Sequence, residues 1–301
     1  MKADLRFRKS NIQQVAYIVA NSRGSRMQGE NLRLSGGKRF KGIFAACSVD
    51  QPLVTVVTAV YNGQQYMAGC MESILRQDYP NIEHIVMDGA SNDGTVDVLR
   101  QYDDQIALWR SEPDSGVYDA WNKALVEARG EWICFLGVDD ELLPGAISAY
   151  MALAAKNPKA EYLCSKVRWV HPSGYEKPLG HPWKWREFSK WMCTAHPGSM
   201  HRRSLYDRIG TYDTSYRIVG DYELLLRARS QLRAAYMPIT TVIMRAGGLG
   251  DLRIAYLEQA RAKIATGGRS KFLAVLELCA SNAKYTLRPF RYALARIRHR
   301  H

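Results

Sequence analysis

From residue 53 onward, apolar and polar positions fall into alternating blocks of regular length. Leu53 to Val60 reads LVTVVTAV, a β-branched apolar run of the kind that forms a strand buried on both faces. Gln64 to Gln77 then places Met67, Cys70, Met71, Ile74 and Leu75 along one side of a helix. Ile82 to Met87 is a second apolar strand, Thr95 to Tyr102 a helix, and Ile106 to Trp109 a short strand. Val117, Trp121, Ala124, Leu125 and Ala128 mark an amphipathic helix, and Trp132 to Leu136 a fourth strand. This alternation predicts an α/β fold, a mostly parallel sheet flanked by helices.

Such sheets bind ligands beyond the carboxyl ends of their strands. Here those ends carry Tyr61-Asn62-Gly63, Asp88-Gly89, Asp114-Ser115-Gly116 and Asp139-Asp140. A lone Asp after a strand is ordinarily a turn former or a helix cap. Acidic and small residues recurring at one edge point instead to a ligand. No G-x-G-x-x-G follows the first strand, which argues against a nicotinamide or flavin dehydrogenase. Gly36-Gly37-Lys38 lacks phosphate-loop spacing, with Leu32 at the first glycine position and Arg39 at the Ser/Thr position. With carboxylates at the strand ends, a phosphate-bearing ligand would need a divalent cation between them.

Composition narrows the class further. The chain has 301 residues, 47% hydrophobic and 24% charged, enough to bury a core without staples. Its six cysteines form no C-x-x-C pair, which predicts buried free thiols rather than a disulfide framework or zinc site. No apolar run is long enough to span a bilayer, and the first 25 residues lack a clean secretory pattern, so a cytoplasmic location is expected.

The net charge of +13 sits at the ends. Residues 1–50 hold ten Lys and Arg against three acids, residues 251–301 eleven against three, and the middle is nearly neutral. That distribution argues against a nucleic-acid partner and for ends that meet an anionic surface. Three regions follow: a basic, poorly ordered extension over 1–50, a body over 51–250, and a basic helical extension over 251–301. In the last, Leu287, Phe290, Leu294 and Ile297 form a helical stripe among Arg288, Arg291, Arg296, Arg298 and Arg300. Such a helix either lies on an anionic membrane, making the protein peripheral there, or packs on the body.

The body also carries recognisable motifs. Pro52 to Gly63 (PLVTVVTAVYNG) resembles the opening strand of the large inverting glycosyltransferase family with the GT-A fold, family 2 in type. Ile85 to Thr95 (IVMDGASNDGT) resembles its second signature, V-x-D-G-x-S-x-D-G-T. Ser115 to Ala124 (SGVYDAWNKA) resembles a helix of its polysaccharide-synthesis branch, colanic-acid enzymes included, and Ala128 to Leu136 leads into its metal motif. The match spans roughly residues 51–245. It implies a Rossmann-like GT-A sheet with a nucleotide-sugar half over 51–140 and an acceptor half over 141–250.

Carried over position by position, the resemblance implies a donor site built from Thr58, Tyr61, Asn62, Asp88, Asp114, Asn122, Asp140 and His196. Asp88 would accept hydrogen bonds from a nucleotide base, since an ionised Asp is acceptor-only. Asp93 either lines this pocket or caps the helix after it. Asp139 would ligate Mg²⁺ or Mn²⁺ on the donor diphosphate, with Asp140 in support. Gly137 stands where the family's D-x-D commonly has its first acid. Val219 to Arg227 (VGDYELLLR) resembles the segment carrying the catalytic base, which makes Asp221 the base, the N-cap of the following helix, or both. The implied activity is inverting transfer of a sugar from a nucleotide-diphosphate sugar to the hydroxyl of a sugar or lipid-linked sugar, in cell-surface polysaccharide or glycolipid assembly. Two other readings remain open: a donor-binding scaffold subunit without chemistry, and a sugar nucleotidyltransferase. The second lacks its Gly-rich, Arg-containing loop after the first strand.

Overall fold

The computed structural model describes residues 33–46, 48, 50–248 and 252–286. The first strand, β1 (Leu34–Gly36), is followed by a short 3₁₀ turn over Lys38–Lys41. The alternating body then runs β2 (Val54–Val60), α1 (Gln64–Leu75), β3 (Ile82–Asp88), α2 (Thr95–Gln101), β4 (Leu108–Ser111), α3 (Val117–Glu127) and β5 (Trp132–Phe135). The elements predicted over 53–136 are all present; β4 starts two residues later than its apolar run, and α1 ends two residues before Gln77. The second half adds β6 (Glu141–Leu142), α4 (Ala146–Lys156), β7 (Tyr162–Val170), β8 (Glu176–Leu179), α5 (Trp185–Phe188), β9 (Ser199–Arg202), α6 (Arg203–Ile209), α7 (Gly220–Ala228) and β10 (Ala234–Arg245). Two helices follow, α8 (Ile254–Ala265) and α9 (Lys271–Thr286).

Among the described residues one sheet has the order β1-β4-β3-β2-β5-β9-β7-β10-β6, with β8 beside β7. The run β4-β3-β2-β5 is parallel, so these four strands end at one edge. Register brings Val60 of β2 opposite Asp88 of β3, and Val57 of β2 opposite Phe135 of β5. Strand alternation sends neighbouring side chains to opposite faces. Val57, Ile85 and Phe135 therefore join the core under α3 and α7, while Val54, Val56 and Cys134 join the core under α1 and α4. Four of the cysteines described, Cys70, Cys134, Cys164 and Cys193, are buried free thiols, and Cys279 is exposed.

Both ends of the body depart from the expected boundaries. Residues 34–41, expected to be poorly ordered, form a strap: an edge strand antiparallel to β4 and the 3₁₀ turn after it. The reason is a buried charge. Glu83 is nearly inaccessible, and it accepts from Thr55 Oγ1 at 2.6 Å and the amides of Arg129 and Gly130 at 2.7 and 3.2 Å. Arg39 supplies the cation, 2.7 Å from Glu83 Oε2, and also donates to the Glu127 carbonyl at 2.8 Å. At the other end, α8 is no detached extension. Ala255 and Ala262 are buried in the same cluster as Leu224, Leu225 and Leu226 of α7. The stripe over 287–297 and residues 1–32 lie outside the described residues.

Removing one partner of a buried ion pair leaves the other charge stranded, at a cost of about 3 kcal/mol. Arg39→Ala is therefore expected to lower unfolding stability by about that amount in urea melts. A loss under about 0.5 kcal/mol would mean the strap is not integral to the body.

Candidate active site

The ends of β3, β2 and β5 are adjacent, so Asp88, Asn62 and the Gly137–Asp140 turn follow neighbouring strands spaced about 4.8 Å apart. Two non-glycine residues here, Asn62 (φ 51°) and Ala90 (φ 58°), adopt left-handed backbone conformations. Strain of this kind persists where the surroundings over-determine it. Those surroundings are a hydrogen-bond net. The Asn62 amide donates to Ser91 Oγ at 2.7 Å, and Asn62 Oδ1 accepts from the Asn92 amide at 3.0 Å.

Asp88 sits at the centre of this net and is 1% exposed. Its carboxylate accepts from the Ser91 amide at 3.0 Å, from Ser111 Oγ at 2.6 Å and from Ser91 Oγ. Its acceptor capacity is thus largely taken by the protein's own donors. Asp93 acts as a cap: Oδ1 accepts from the Thr95 amide and hydroxyl, and Oδ2 from the Gln64 amide at 3.0 Å. It thereby holds the first turns of both α1 and α2.

Asp114 lies across from Asp88. Its Oδ1 takes the Gly116 amide at 2.8 Å, and its Oδ2 crowds Gly89, where a Cβ would sit 2.8 Å away. The Tyr61 ring flanks the same glycine, with a Cβ-to-ring approach of 3.4 Å. Tyr61, Gly89 and Asp114 therefore share one corner of the edge, and a side chain at 89 would close it.

Three residues expected to touch the donor have partners within the protein. Thr58 is 0% exposed, since its position in the strand turns it toward α1, where it bonds His84 Nε2 at 3.0 Å. Asn122 spends its amide on the second half of the fold. Nδ2 donates to the Tyr212 carbonyl at 2.8 Å, and Oδ1 accepts from the Tyr212 amide at 3.0 Å. His196 is buried too, stacked on Trp121 at 4.8 Å between ring centres and 3.3 Å from the Tyr212 hydroxyl. Burial lowers its pKa, against a smaller upward pull from Asp221, so the ring is held toward its neutral form. His201 is equally enclosed, its Nδ1 2.7 Å from the Tyr206 hydroxyl.

The Asp139-Asp140 turn closes β5. Asp140 is buried and takes the Arg245 amide on Oδ1 at 3.1 Å, while Arg245 Nη2 pairs with Glu141 at 2.5 Å. Burial raises the pKa of both carboxyls; for Asp140 the charge of Asp139 adds to it, and the backbone amides and Arg245 only partly offset the rise. Gly137 fits this turn, because a Cβ there would stand 2.8 Å from Asp140 and 3.1 Å from Asp139. Among the described residues no cluster of three His, Cys, Asp or Glu side chains could cage a metal. Two desolvated neighbouring carboxylates nevertheless suit Mg²⁺ or Mn²⁺, which commonly use one or two carboxylates with substrate phosphates and water.

Asp221 occupies the first turn of α7 and bonds the Tyr222 amide at 2.9 Å. Tyr118, from the helix that begins beside Asp114, places its hydroxyl 2.7 Å from the Ile218 carbonyl and 3.2 Å from Asp221 Oδ1. Burial first, and the charge of Asp221 next, raise the Tyr118 pKa well above that of an ordinary phenol, so it keeps the proton it donates. Gly220 makes this approach possible, since a Cβ there would lie 2.8 to 3.0 Å from the Tyr118 ring. Tyr118 sits within a motif read from the sequence, yet its contact with residue 221 has no local signal. A separate cavity of about 360 Å³ opens at the opposite strand ends, lined by Pro52, Leu53, Gly130, Arg202 and Arg203, and holds none of the expected site residues.

Comparison with known proteins gives the family. The sequence profile of glycosyl transferase family 2 matches residues 55–212, more than half of the chain. The chain belongs to glycosyl transferase family 2. An uncharacterised glycosyltransferase of Mycobacterium tuberculosis is 34% identical over 182 residues, 59% of this chain and 69% of that protein. A PGL/p-HBAD biosynthesis glycosyltransferase of Mycobacterium bovis is 26% identical over 214 residues, 66% of this chain and 80% of the relative. Among solved structures, S. aureus TarS 1–349 in complex with UDP-GlcNAc superposes with a TM-score of 0.58 at 17% identity, over 80% of this chain and 73% of that one. A mannosyltransferase from Pyrobaculum calidifontis, in complex with GDP-Man and Mn²⁺, gives 0.55 at 17% identity over 98% and 91% of the two chains. At such identities the structural likeness establishes the GT-A fold.

The Asp139-Asp140 pair should cost the family 2 fold stability. Ionised Asp140 is less favourable folded than unfolded, so its cost is full above the raised folded pKa and fades as pH falls toward the ordinary carboxylate value. Asp140→Asn keeps the Oδ1 acceptor and is expected to raise Tm at pH 8 by roughly 2–4 °C, the shift that about 1 kcal/mol produces in a chain of this size. The gap should narrow by pH 5. An unchanged or lower Tm at pH 8 would contradict the electrostatic reading.

Proposed function

We propose that this glycosyltransferase moves a sugar with inversion from a nucleotide-diphosphate sugar to a hydroxyl acceptor. The observation that carries the reading is the Tyr118–Asp221 contact. The helix that starts beside Asp114, on the nucleotide-sugar side, reaches the carboxylate delivered by α7. One helix thus spans from the donor corner of Tyr61, Gly89 and Asp114 to a candidate base.

In an inverting displacement the acceptor oxygen forms the new bond to the anomeric carbon as the bond to the diphosphate oxygen breaks. The nucleoside diphosphate leaves with that electron pair, and the acceptor's proton goes to a base on the attacking side. Asp221 takes that proton. Tyr118 holds its Oδ1, leaving Oδ2 for the acceptor hydroxyl. Tyr61, Asn62 and Asp114 line the donor corner, and Asp88 braces it through Ser91 and Ser111. Asp139, with Asp140, would hold Mg²⁺ or Mn²⁺, which when bound neutralises charge on the diphosphate. The acceptor is a sugar or lipid-linked sugar of cell-surface polysaccharide or glycolipid; a biosynthetic role is supported by the Mycobacterium bovis relative, a PGL/p-HBAD biosynthesis glycosyltransferase.

We also propose that the protein works on the cytoplasmic face of an anionic membrane. Among the described residues no helix is long and apolar enough to cross one. Phe272, Val275, Leu276 and Cys279 of α9 lie at i, i+3, i+4 and i+7 and are exposed, Phe272 at 72%. The acid of that helix, Glu277, turns instead to Lys263 and Arg269. The sequence then continues over 287–301 with five arginines and no acid. An apolar face followed by cationic chain suits anionic lipid.

Asp221→Asn is expected to cut kcat by ~10²–10⁴-fold, while UDP- or GDP-sugar with Mn²⁺ still raises Tm. Near-normal kcat would remove Asp221 from the chemistry. For the membrane, the full chain is expected to float with phosphatidylglycerol vesicles at low salt and less with phosphatidylcholine alone, and Phe272→Glu with Leu276→Glu should release it. Absence of flotation with the anionic vesicles at low salt would rule the attachment out.

A further inference from the structure

The loop that delivers Asp221 is held from a part of the chain far from any family motif. Glu258, in the middle of α8, accepts hydrogen bonds from three consecutive backbone amides. Arg217 N lies 3.0 and 3.2 Å from its two oxygens, Ile218 N 2.8 Å from Oε2 and Val219 N 3.2 Å from Oε2. These amides directly precede α7, whose second residue is Asp221. One helical turn on, Arg261 donates to the Ser215 carbonyl at 3.1 Å and to Ser215 Oγ at 2.7 Å, and its guanidinium lies over the Tyr216 ring at 4.2 Å. Residues at i and i+3 share a helix face, so α8 grips residues 215–219 with an acid and a base side by side.

A carboxylate that takes three amides fixes their directions together. The amides of residues 217–219 point to Glu258, so the Ile218 carbonyl is set where Tyr118 Oη meets it at 2.7 Å. The same hydroxyl touches Asp221. The loop is therefore clamped through its amides by α8 and through a carbonyl by α3, and Asp221 follows two residues after the clamp.

We propose that Glu258 is a positioning residue for Asp221, holding the 217–219 amides so that the carboxylate meets the acceptor hydroxyl. This inference rests on the assignment of Asp221 as base. It also makes α8 part of the machinery of transfer, although the family 2 profile ends at residue 212.

The test compares steady-state turnover of full-length Glu258→Ala, Glu258→Gln, Asp221→Asn and the double variant Asp221→Asn/Glu258→Ala. Each is assayed with the nucleotide sugar that gives the largest Tm shift in the presence of Mn²⁺. Glu258→Ala is expected to lower kcat by ~10–100-fold with donor KM within about twofold, because donor residues lie on other elements. Glu258→Gln, which keeps an acceptor oxygen, should recover part of the loss. In the Asp221→Asn background Glu258→Ala should cost little more, since a positioning residue has nothing left to position. If Glu258→Ala keeps full kcat while Asp221→Asn loses it, the clamp is not functional. A full additional loss in the double variant, or a rise in donor KM equal to the loss in kcat/KM, would equally overturn it as general support of the fold. Should Glu258→Ala not fold, the Glu258→Gln pair of measurements decides by the same criteria. Full activity in Asp221→Asn itself would instead defeat the base assignment on which the inference stands.

Discussion

Parallel strands that share a buried sheet must release their carboxyl ends at the same edge, and the rest of this structure follows from that constraint. β3, β2 and β5 are buried on both faces, so little along their length is open to a ligand. Chemistry is pushed to the turns where they emerge. There Asp88 is not free to act alone. Two serines and an amide hold it, and through Ser91 it fixes Asn62 on the next strand. The strained backbones at Asn62 and Ala90 are tolerated because this net leaves them no alternative.

The two halves of the fold meet through α3. Asn122 pins the Tyr212 backbone with two hydrogen bonds, and Tyr118 reaches the loop before α7. Between them, Trp121 stacks on His196, with Phe135 and Tyr212 packed around it. This aromatic layer is apolar enough to keep His196 and His201 toward neutrality, which avoids burying two cations beneath a carboxylate. Asn122 and His196 thus join the first half of the fold to the second.

Most of the sheet was legible because its strands are continuous apolar runs and its helices carry one-sided stripes, signals that depend only on near neighbours. The acidic edge was legible for the same reason, as was the ambiguity of Asp93, which the structure resolves as a cap. The partners of Thr58, Asn122 and His196 were not legible, because a motif gives position along a strand or helix, not the group that claims the side chain. Arg39 could not be assigned to Glu83, nor Glu258 to residues 217–219, because each pair lies about forty residues apart and neither segment has a periodic pattern linking them. The strap over 34–41 is short and largely polar, and distant partners hold it: β4 along its strand, Glu83 at Arg39 and Asp103 at Gly37 and Lys41.

Position 220 has a meaning that reaches past its own loop. Any side chain there would begin inside the space of the Tyr118 ring, and the backbone of α7 fixes where that side chain would start. Position 220 can thus grow only where position 118 shrinks. A member of the family carrying a larger residue at the first would need a smaller one at the second, and would have to restrain its carboxylate by some other donor. Libraries that randomise position 220 alone would sample almost nothing but misfits.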